Sequence, residues 1–387
     1  MKIFAIGGAG RICRESINDL VKFADFEKLT IGDFDVEEAK KVEEWINDKR
    51  VDSCFVDITN KEEAVAILSD YDIVLDGTTI SLNDKSTECI ALANCHGINF
   101  NGFGEEYKYD KIFKENGKLM VPGFGMTPGT TNMMAKFSAD QMDSVERIRV
   151  SHGAFRPIAF SNSIAETTVY EYDPALPGRV VFEDGELKQV PPFARPRAIQ
   201  LPEPYGMTEQ YIIPHSETVT LSDYYKDKGI RLVEVRGTWP QENMQLIKAL
   251  YNYGFMKNDK INVNGKEFGI MEAIGAYLVN SEKGKNTGLY GYSLHVEVEG
   301  IKEGKKVRYT LTHTHPASDG SVPEWEGLRS YTRNVGIPVG IAVKLMMEGK
   351  AEGIGAQIPE RVFNPTDLFE ELKLREIFIH EKEEVIG

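Results

Sequence analysis

Over residues 1–125, short apolar runs alternate with charged, amphipathic stretches, the pattern of parallel strands joined by crossover helices. Runs at 1–6, 28–34, 52–57, 72–79, 97–102 and 119–122 read as strands, and helical spacing of apolar positions covers 15–23, 36–48, 61–69, 84–95 and 107–116. The pattern changes at Gly123–Asn132, a loop rich in glycine and proline in which Thr130-Thr131-Asn132 is placed to cap a helix starting at Met133. From Val145 onward, strand patterns dominate at 146–153, 210–221, 231–239, 290–299 and 305–313, with helices at 241–253 and near 268–281. A last apolar helix at 335–348 suits packing against the first domain. The expected fold class is α/β: a Rossmann doubly wound parallel sheet plus an α+β substrate and dimerisation domain on a mostly antiparallel or mixed sheet. The expected domains are 1–125, 126–334, and a return of the chain to the first domain at 335–387.

The first run ends in Gly7-Gly8-Ala9-Gly10 and passes at once into Arg11-Ile12-Cys13. Strand, glycine turn and helix start follow in the order a dinucleotide-binding unit requires. Gly8 suits the tight turn, and Gly10 has no Cβ to block a pyrophosphate from the helix N-terminus, where backbone N–H groups and the dipole favour anions. The cradle is therefore expected at Gly8, Ala9, Gly10, Arg11 and Ile12. Cys13 stands where Gly or Ala is usual. Asp33 closes the second strand about 25 residues after the turn, close to where a ribose-binding acid belongs. Phe34 follows it, so a 2′-phosphate would meet a carboxylate with no Arg to neutralise it. That favours NAD over NADP. Asp57 and Ile58 are adenine-side candidates, and Gly77, Thr78 and Thr79 are either nicotinamide-side contacts or a plain strand-to-helix turn.

The 387 residues suffice for two domains, and a formal charge of -15 without a dense basic patch argues against nucleic acid as a partner. No apolar run approaches the roughly 18 residues of a membrane span. Cys13, Cys54, Cys89 and Cys95 lack metal-like spacing and read as free thiols in a reducing compartment. The chain opens directly on a strand, so the expected location is the cytoplasm.

Gly125-Met126-Thr127-Pro128-Gly129-Thr130-Thr131-Asn132 resembles the signature of the saccharopine dehydrogenase (glutamate-forming) family, which also includes lysine 6-dehydrogenase and carboxynorspermidine dehydrogenase. The resemblance continues through Ser163–Glu166, Tyr172-Asp173-Pro174, His215-Ser216-Glu217, Arg236-Gly237-Thr238-Trp239 and the closing segment from Gly353 to Arg375. It spans essentially the whole chain. In length and layout the sequence is most similar to lysine 6-dehydrogenase. The resemblance implies NAD(P)-dependent oxidation of a carbon–nitrogen bond in an amine or amino acid, in the lysine 6-dehydrogenase case release of the side-chain amine as ammonia. The reverse, reductive synthesis of saccharopine or carboxynorspermidine is the alternative within the family. A non-catalytic NAD sensor is the alternative of another class.

Such chemistry requires a base for the amine and a grip on a carboxylate. His215 is the first candidate base because its ordinary pKa lies near neutrality. Glu217, expected two residues on along a strand and on the same face, would orient it, unless the two form a purely structural pair. Arg236 is the candidate carboxylate anchor, or else a salt-bridge partner of Glu234 or an interface contact. Arg195 and Arg197 read as surface or lid residues, with reach toward an acidic substrate as the alternative for either. Glu166, Thr131 and Thr332 are substrate-binding candidates by family position. His313 and His315 share a strand face but lack an accompanying ligand set, so no metal is expected. An exposed sheet in the second domain would suit a homodimer or higher homo-oligomer.

Overall fold

The computed structural model describes residues 1–175, 178–257, 259–281 and 288–387. The chain forms two compact units, one of Met1–Phe137 with Thr332–Glu376 and one of Ser138–Tyr331 with Ile377–Gly387.

In the first unit the alternating pattern becomes β1 (Lys2–Ile6), α1 (Cys13–Phe23), β2 (Lys28–Asp33), α2 (Val36–Ile46), β3 (Val51–Phe55), α3 (Lys61–Leu68), β4 (Ile73–Asp76), α4 (Asn83–Leu92), β5 (His96–Asn99), α5 (Asp110–Glu115) and β6 (Leu119–Val121). After α6 (Thr130–Ala139) the chain leaves, and it later returns to add β17 (Gly355–Ala356) beside β6. The seven strands are all parallel, in the order β17-β6-β5-β4-β1-β2-β3. The order reverses at β1, which lies between β2 and β4, and ligands of such sheets bind at that switch point outside the strand C-termini. Ile6 pairs with both Gly32 and Asp76, so the turns following β1, β2 and β4 emerge side by side at one edge.

Helix α11 (Leu328–Met347) carries the returning chain and crosses α1 at close range. A Cβ at Gly336 would lie 2.6 Å from the Ile12 carbonyl oxygen, and one at Gly340 would lie 3.0 Å from that of Ser16. Ser16 Oγ donates to the Gly336 carbonyl at 2.7 Å. A fully buried pair, Arg375 Nε to Asp19 Oδ1 at 2.9 Å, ties α1 to the residues just after the helix Pro365–Lys373. Residues 332–376 thus belong with the seven-stranded parallel sheet.

The second unit carries a nine-stranded sheet. Its path runs β10 (Arg197–Gln200), β11 (Met207–Ile212), β12 (Leu232–Thr238), β7 (Ser144–Phe155), β15 (Gly291–Lys302), β16 (Lys305–Thr314) and β18 (Phe378–Val385). β8 (Val180–Glu183) and β9 (Glu186–Gln189) form a hairpin that joins at β12. The sheet is mixed, since β12 and β7 are parallel while the other pairs are antiparallel. Helices α7 (Asn162–Tyr172), α8 (Glu217–Tyr224), α9 (Gln241–Asn252) and α10 (Ile270–Asn280) belong to this unit, as does the separate hairpin of β13 (Lys260–Val263) and β14 (Lys266–Gly269).

Two expectations need correction. The strand read over 210–221 stops at Ile212, and 217–224 is helix. Pro214 cannot donate to a ladder, and Thr218, Val219 and Thr220, whose β-branching mimics a strand, lie on a helix that buries Thr218, Thr220 and Leu221. The tail also differs. Residues 377–387, read with the first domain, pair as β18 along β16 from Val307↔Val385 to Thr314↔Phe378. Among the described residues no helix is long and apolar enough to cross a membrane.

Candidate functional site

In the first unit the glycine turn is built by local constraint. Gly7 adopts φ 64°, and a Cβ there would lie 2.8 Å from the Gly77 carbonyl oxygen. An added Cβ at Gly8 would lie 2.9 Å from Ile31 Cγ2, whereas at exposed Gly10 it would meet only the Gly7 carbonyl oxygen, at 3.1 Å. Helix α1 has no side-chain cap, and exposed Arg11 stands at its start beside Ile12. A small-residue cradle, an uncapped helix N-terminus and a nearby cation fit a pyrophosphate. Asp33 is anchored at the same edge: Ala9 N–H donates to its Oδ2 at 3.1 Å and Asp35 N–H to its Oδ1 at 3.0 Å. Burial raises its pKa despite these donors.

Phe34 is 71% exposed and pairs with exposed Phe55 at a ring-centroid distance of 5.6 Å. Flat apolar rings beside Asp33 suit an adenine better than a phosphate. Phe55, at the end of β3, carries no motif and was not read from the sequence. The other predicted adenine contacts have local roles: Ile58 lies in the apolar core, and Asp57 accepts from Thr59 N–H at 2.8 Å and Thr59 Oγ1 at 2.7 Å. Thr78 N–H donates to buried Asp76 at 2.9 Å and Thr79 Oγ1 lies 2.9 Å from Ser81 Oγ, so the Gly77–Thr79 turn is pinned at the edge where β1 also ends.

Cys13 has a structural explanation. A Cβ on Gly77 would lie 2.9 Å from both Cβ and Sγ of Cys13, so the missing side chain at Gly77 makes room for the larger one on α1. Burial, with Asp76 and Asp33 nearby, pushes this thiol well above its ordinary pKa and keeps it protonated. We expect Gly77→Ala to cost about 1–3 kcal/mol by overpacking, and Cys13→Gly in the same chain to recover part of that loss in urea unfolding. If the two substitutions add independently, the complementarity is absent.

One face of the second unit's sheet carries a buried cluster around His152 and His215. His152, in β7, sits among the inward residues Ile148, Val150 and Ala154, and its Nε2 would be 2.5 Å from a Cβ at Gly237. Gly237 therefore admits this ring. His152 stacks on His215, with ring centroids 5.5 Å apart, and its Nδ1 lies 3.1 Å from the Tyr292 hydroxyl. Tyr292 in turn stacks on Tyr331 at 5.5 Å. Burial lowers the His152 pKa well below the ordinary histidine value, and its Nε2 has no hydrogen-bond partner.

His215 lies in the loop before α8, not on a strand, and Glu217 is the first residue of that helix. The pair still meets: His215 Nδ1 is 3.6 Å from Glu217 and Nε2 is 3.8 Å from Glu171, near the end of α7. Burial alone would lower the His215 pKa, but the two carboxylates more than offset it and raise the value to about 9. At neutral pH His215 is thus an imidazolium, a proton donor. The expectation of a base poised near neutrality needs that revision. Sequence reasoning passed over Glu171 and His152. The available signals were a histidine at an inward strand position and Gly237 in a strand interior, the mark of a close approach.

Arg236 is not in this cluster. Side chains alternate along β12, and since Gly237 underlies His152, Arg236 points to the opposite face. There its Nη2 donates to Glu234 at 2.9 Å, and it also bonds the Arg195 carbonyl. That face is a lattice of ion pairs including Arg197 with Glu297 at 2.9 Å and Arg308 with Glu299 at 2.7 Å. Arg236 is therefore the salt-bridge partner of Glu234, not an open carboxylate anchor. Glu166 lies half-buried on α7, while Thr131 on α6 and Thr332 on α11 are buried in the first unit. His313 Nδ1 accepts from Leu294 N–H at 3.1 Å, and His315 stacks on Trp325 at 5.4 Å with its Nε2 2.9 Å from the Tyr205 hydroxyl. Packing and hydrogen bonding account for both rings. Among the described residues no cluster of His, Cys, Asp and Glu is arranged to hold a metal.

Comparison with known proteins places these features in a family. The saccharopine dehydrogenase NADP-binding domain matches residues 3–121, and the saccharopine dehydrogenase C-terminal domain matches residues 125–377. A carboxyaminopropylagmatine dehydrogenase from Synechocystis is 19% identical over 371 residues, covering 90% of each chain. Saccharopine dehydrogenase (L-Glu forming) from Saccharomyces cerevisiae superposes with a TM-score of 0.72 at 16% identity, over 99% of this chain and 100% of that one. Homospermidine synthase from Legionella pneumophila, solved with NAD, gives 0.65 at 12% identity, over 98% and 91%. At these identities the structural likeness speaks to the fold.

Proposed function

Because the chain belongs to the saccharopine dehydrogenase family and is a dehydrogenase with an NAD(P)-binding domain, we propose that it uses NAD to oxidise or form a carbon–nitrogen bond of an amine or amino acid. The observation that carries this reading is His215, a buried imidazolium held between Glu171 and Glu217 in a chain whose other unit builds a dinucleotide cradle. Gly8, Ala9, Gly10, Arg11 and Ile12 would hold the pyrophosphate, Asp33 the ribose, and Phe34 with Phe55 the adenine. When bound, the dinucleotide supplies hydride acceptance or donation at its nicotinamide. The protein supplies orientation and the proton.

Two directions follow from the charge on His215. An imine nitrogen must be protonated before its carbon takes hydride, and a histidine with a pKa near 9 performs that donation at neutral pH. An amine must lose a proton before its carbon yields hydride, and His215 accepts one once the pH rises through about 9. The first direction joins an aldehyde and an amine into a secondary amine with loss of water; the Synechocystis relative is named for a dehydrogenase reaction on carboxyaminopropylagmatine. The second, with lysine, is the lysine 6-dehydrogenase reaction implied by the chain's layout; water then converts the imine to an aldehyde and ammonia.

Assays with lysine plus NAD, followed for NADH and ammonia, and with a semialdehyde plus an amino acid and NADH, separate the two. NADH consumption at neutral pH without ammonia release from lysine selects the reductive reading; ammonia release with NADH formation selects the oxidative one. Inert nicotinamide in both, across a panel of amines, rejects the proposal.

The family's first domain is named for NADP, whereas Asp33 and Phe34 argue for NAD. Asp33→Ser with Phe34→Arg is expected to shift the ratio of kcat/KM values toward NADP by about tenfold or more, because a guanidinium then replaces the repelling carboxylate. A wild-type preference for NADP would contradict this assignment.

A further inference from the structure

The displacement of Arg236 to the other sheet face leaves the second unit's inner cluster without its expected carboxylate anchor, and the cluster holds another arginine. Arg156 follows the end of β7 and is 2% exposed. Its Nη1 donates to the carbonyls of Pro157 and Ile158, at 2.9 and 3.0 Å. Its guanidinium is ringed by π faces, 5.4 Å from the Tyr331 centroid and 6.0 Å from those of Phe160 and Trp239. No carboxylate forms a salt bridge with it among the described residues, and Nε has no hydrogen-bond partner. A guanidinium stays charged at any pH the protein meets, so burying one without an anion is costly unless an anion arrives with the ligand.

Two neighbours carry the same signature. Trp239 is 3% exposed with Nε1 unpartnered, and its ring lies 6.1 Å from that of His152. Glu171, 5% exposed, pairs with His215 through Oε1 while Oε2 has no hydrogen-bond partner. Buried polar atoms are normally satisfied, and a group of orphans in one cluster marks the place of a missing partner. Two donors and one acceptor match the charge pattern of an amino-acid head group.

We propose that Arg156 and Trp239 bind the carboxylate of the substrate while Glu171 accepts from its ammonium group, so that this chain selects amino acids over the corresponding decarboxylated amines. The inference rests on the reading of the chain as an amine dehydrogenase and adds a specificity that the reading leaves open. Arg156, at the end of a strand and absent from every motif, is the specificity determinant.

Calorimetric titration of the full chain, saturated with NAD, with lysine and with cadaverine tests it. Lysine is expected to bind roughly tenfold or more tightly than cadaverine, and Arg156→Gln to abolish the difference by weakening lysine alone. Trp239→Phe, which keeps an aromatic ring but removes the donor, should weaken lysine in the same sense and guards against a misfolded Arg156 variant. Equal affinity for the two ligands in the wild type, or a lysine preference that persists in both folded variants, overturns the proposal. Lysine discrimination without nicotinamide redox in any assay would sink the dehydrogenase reading and leave the head-group site standing.

Discussion

Gly10→Val is expected to leave the chain folded and to weaken NAD binding by about 100-fold or more, about 2.7 kcal/mol. Gly10 is exposed, and an added Cβ meets only the Gly7 carbonyl oxygen, at 3.1 Å. A branched side chain there projects over the uncapped start of α1, where a pyrophosphate must come close to backbone N–H groups. The matched control is Gly8→Val, whose Cβ would press on Ile31 at 2.9 Å and the Ala5 carbonyl oxygen at 3.0 Å. That change should lower the melting temperature as well as affinity. Calorimetric titration with NAD alongside thermal melts distinguishes the two, and unchanged affinity in Gly10→Val would remove the turn from the binding site.

His215→Gln is expected to reduce kcat by about 100-fold to 10,000-fold, the range for loss of a positioned acid or base, with a smaller effect on KM. It should also remove a limb near pH 9 from the rate profile. The same substitution has a signature in stability. The folded pKa of about 9 lies above the ordinary 6.5, so the charged form is stabilised in the native state. That contribution, on the order of 3 kcal/mol, is fully present below pH 6.5 and is lost as pH rises through about 9. Wild-type unfolding free energy should therefore decline across that window, and the Gln variant, which leaves Glu171 and Glu217 facing each other without the cation, should start lower and lack the decline. Identical pH profiles for the two proteins would show that His215 is not held charged.

What could be read from the sequence was what local pattern determines. The βα rhythm of the first unit, the glycine turn and the acid at the end of β2 are each specified by residues adjacent in the chain. Cys13 looked irregular because its explanation, the missing side chain of Gly77, comes from a distant strand end. Similar limits governed the second unit. Thr218, Val219 and Thr220 carry strand propensity, yet Pro214 ends the ladder before them and burial of Leu221 and Thr218 stabilises a helix. Arg236 and Gly237 are neighbours in sequence but serve opposite faces of β12, and only the parallel register with β7 reveals which of them meets His152. Glu171 reaches His215 through tertiary packing of α7, for which no motif exists. Arg156 was equally silent, since a lone arginine after a strand is usually solvated.

The rate of nicotinamide oxidation and reduction, measured in both directions across pH on the wild-type enzyme, tests most directly whether His215 transfers the proton in carbon–nitrogen redox. NADH oxidation by an aldehyde with an amino acid is expected at neutral pH, falling as pH passes about 9, with NAD reduction by the product amine rising over the same interval. NAD binding with no redox turnover on any carbon–nitrogen substrate, or turnover whose two directions share the same pH dependence, would contradict it.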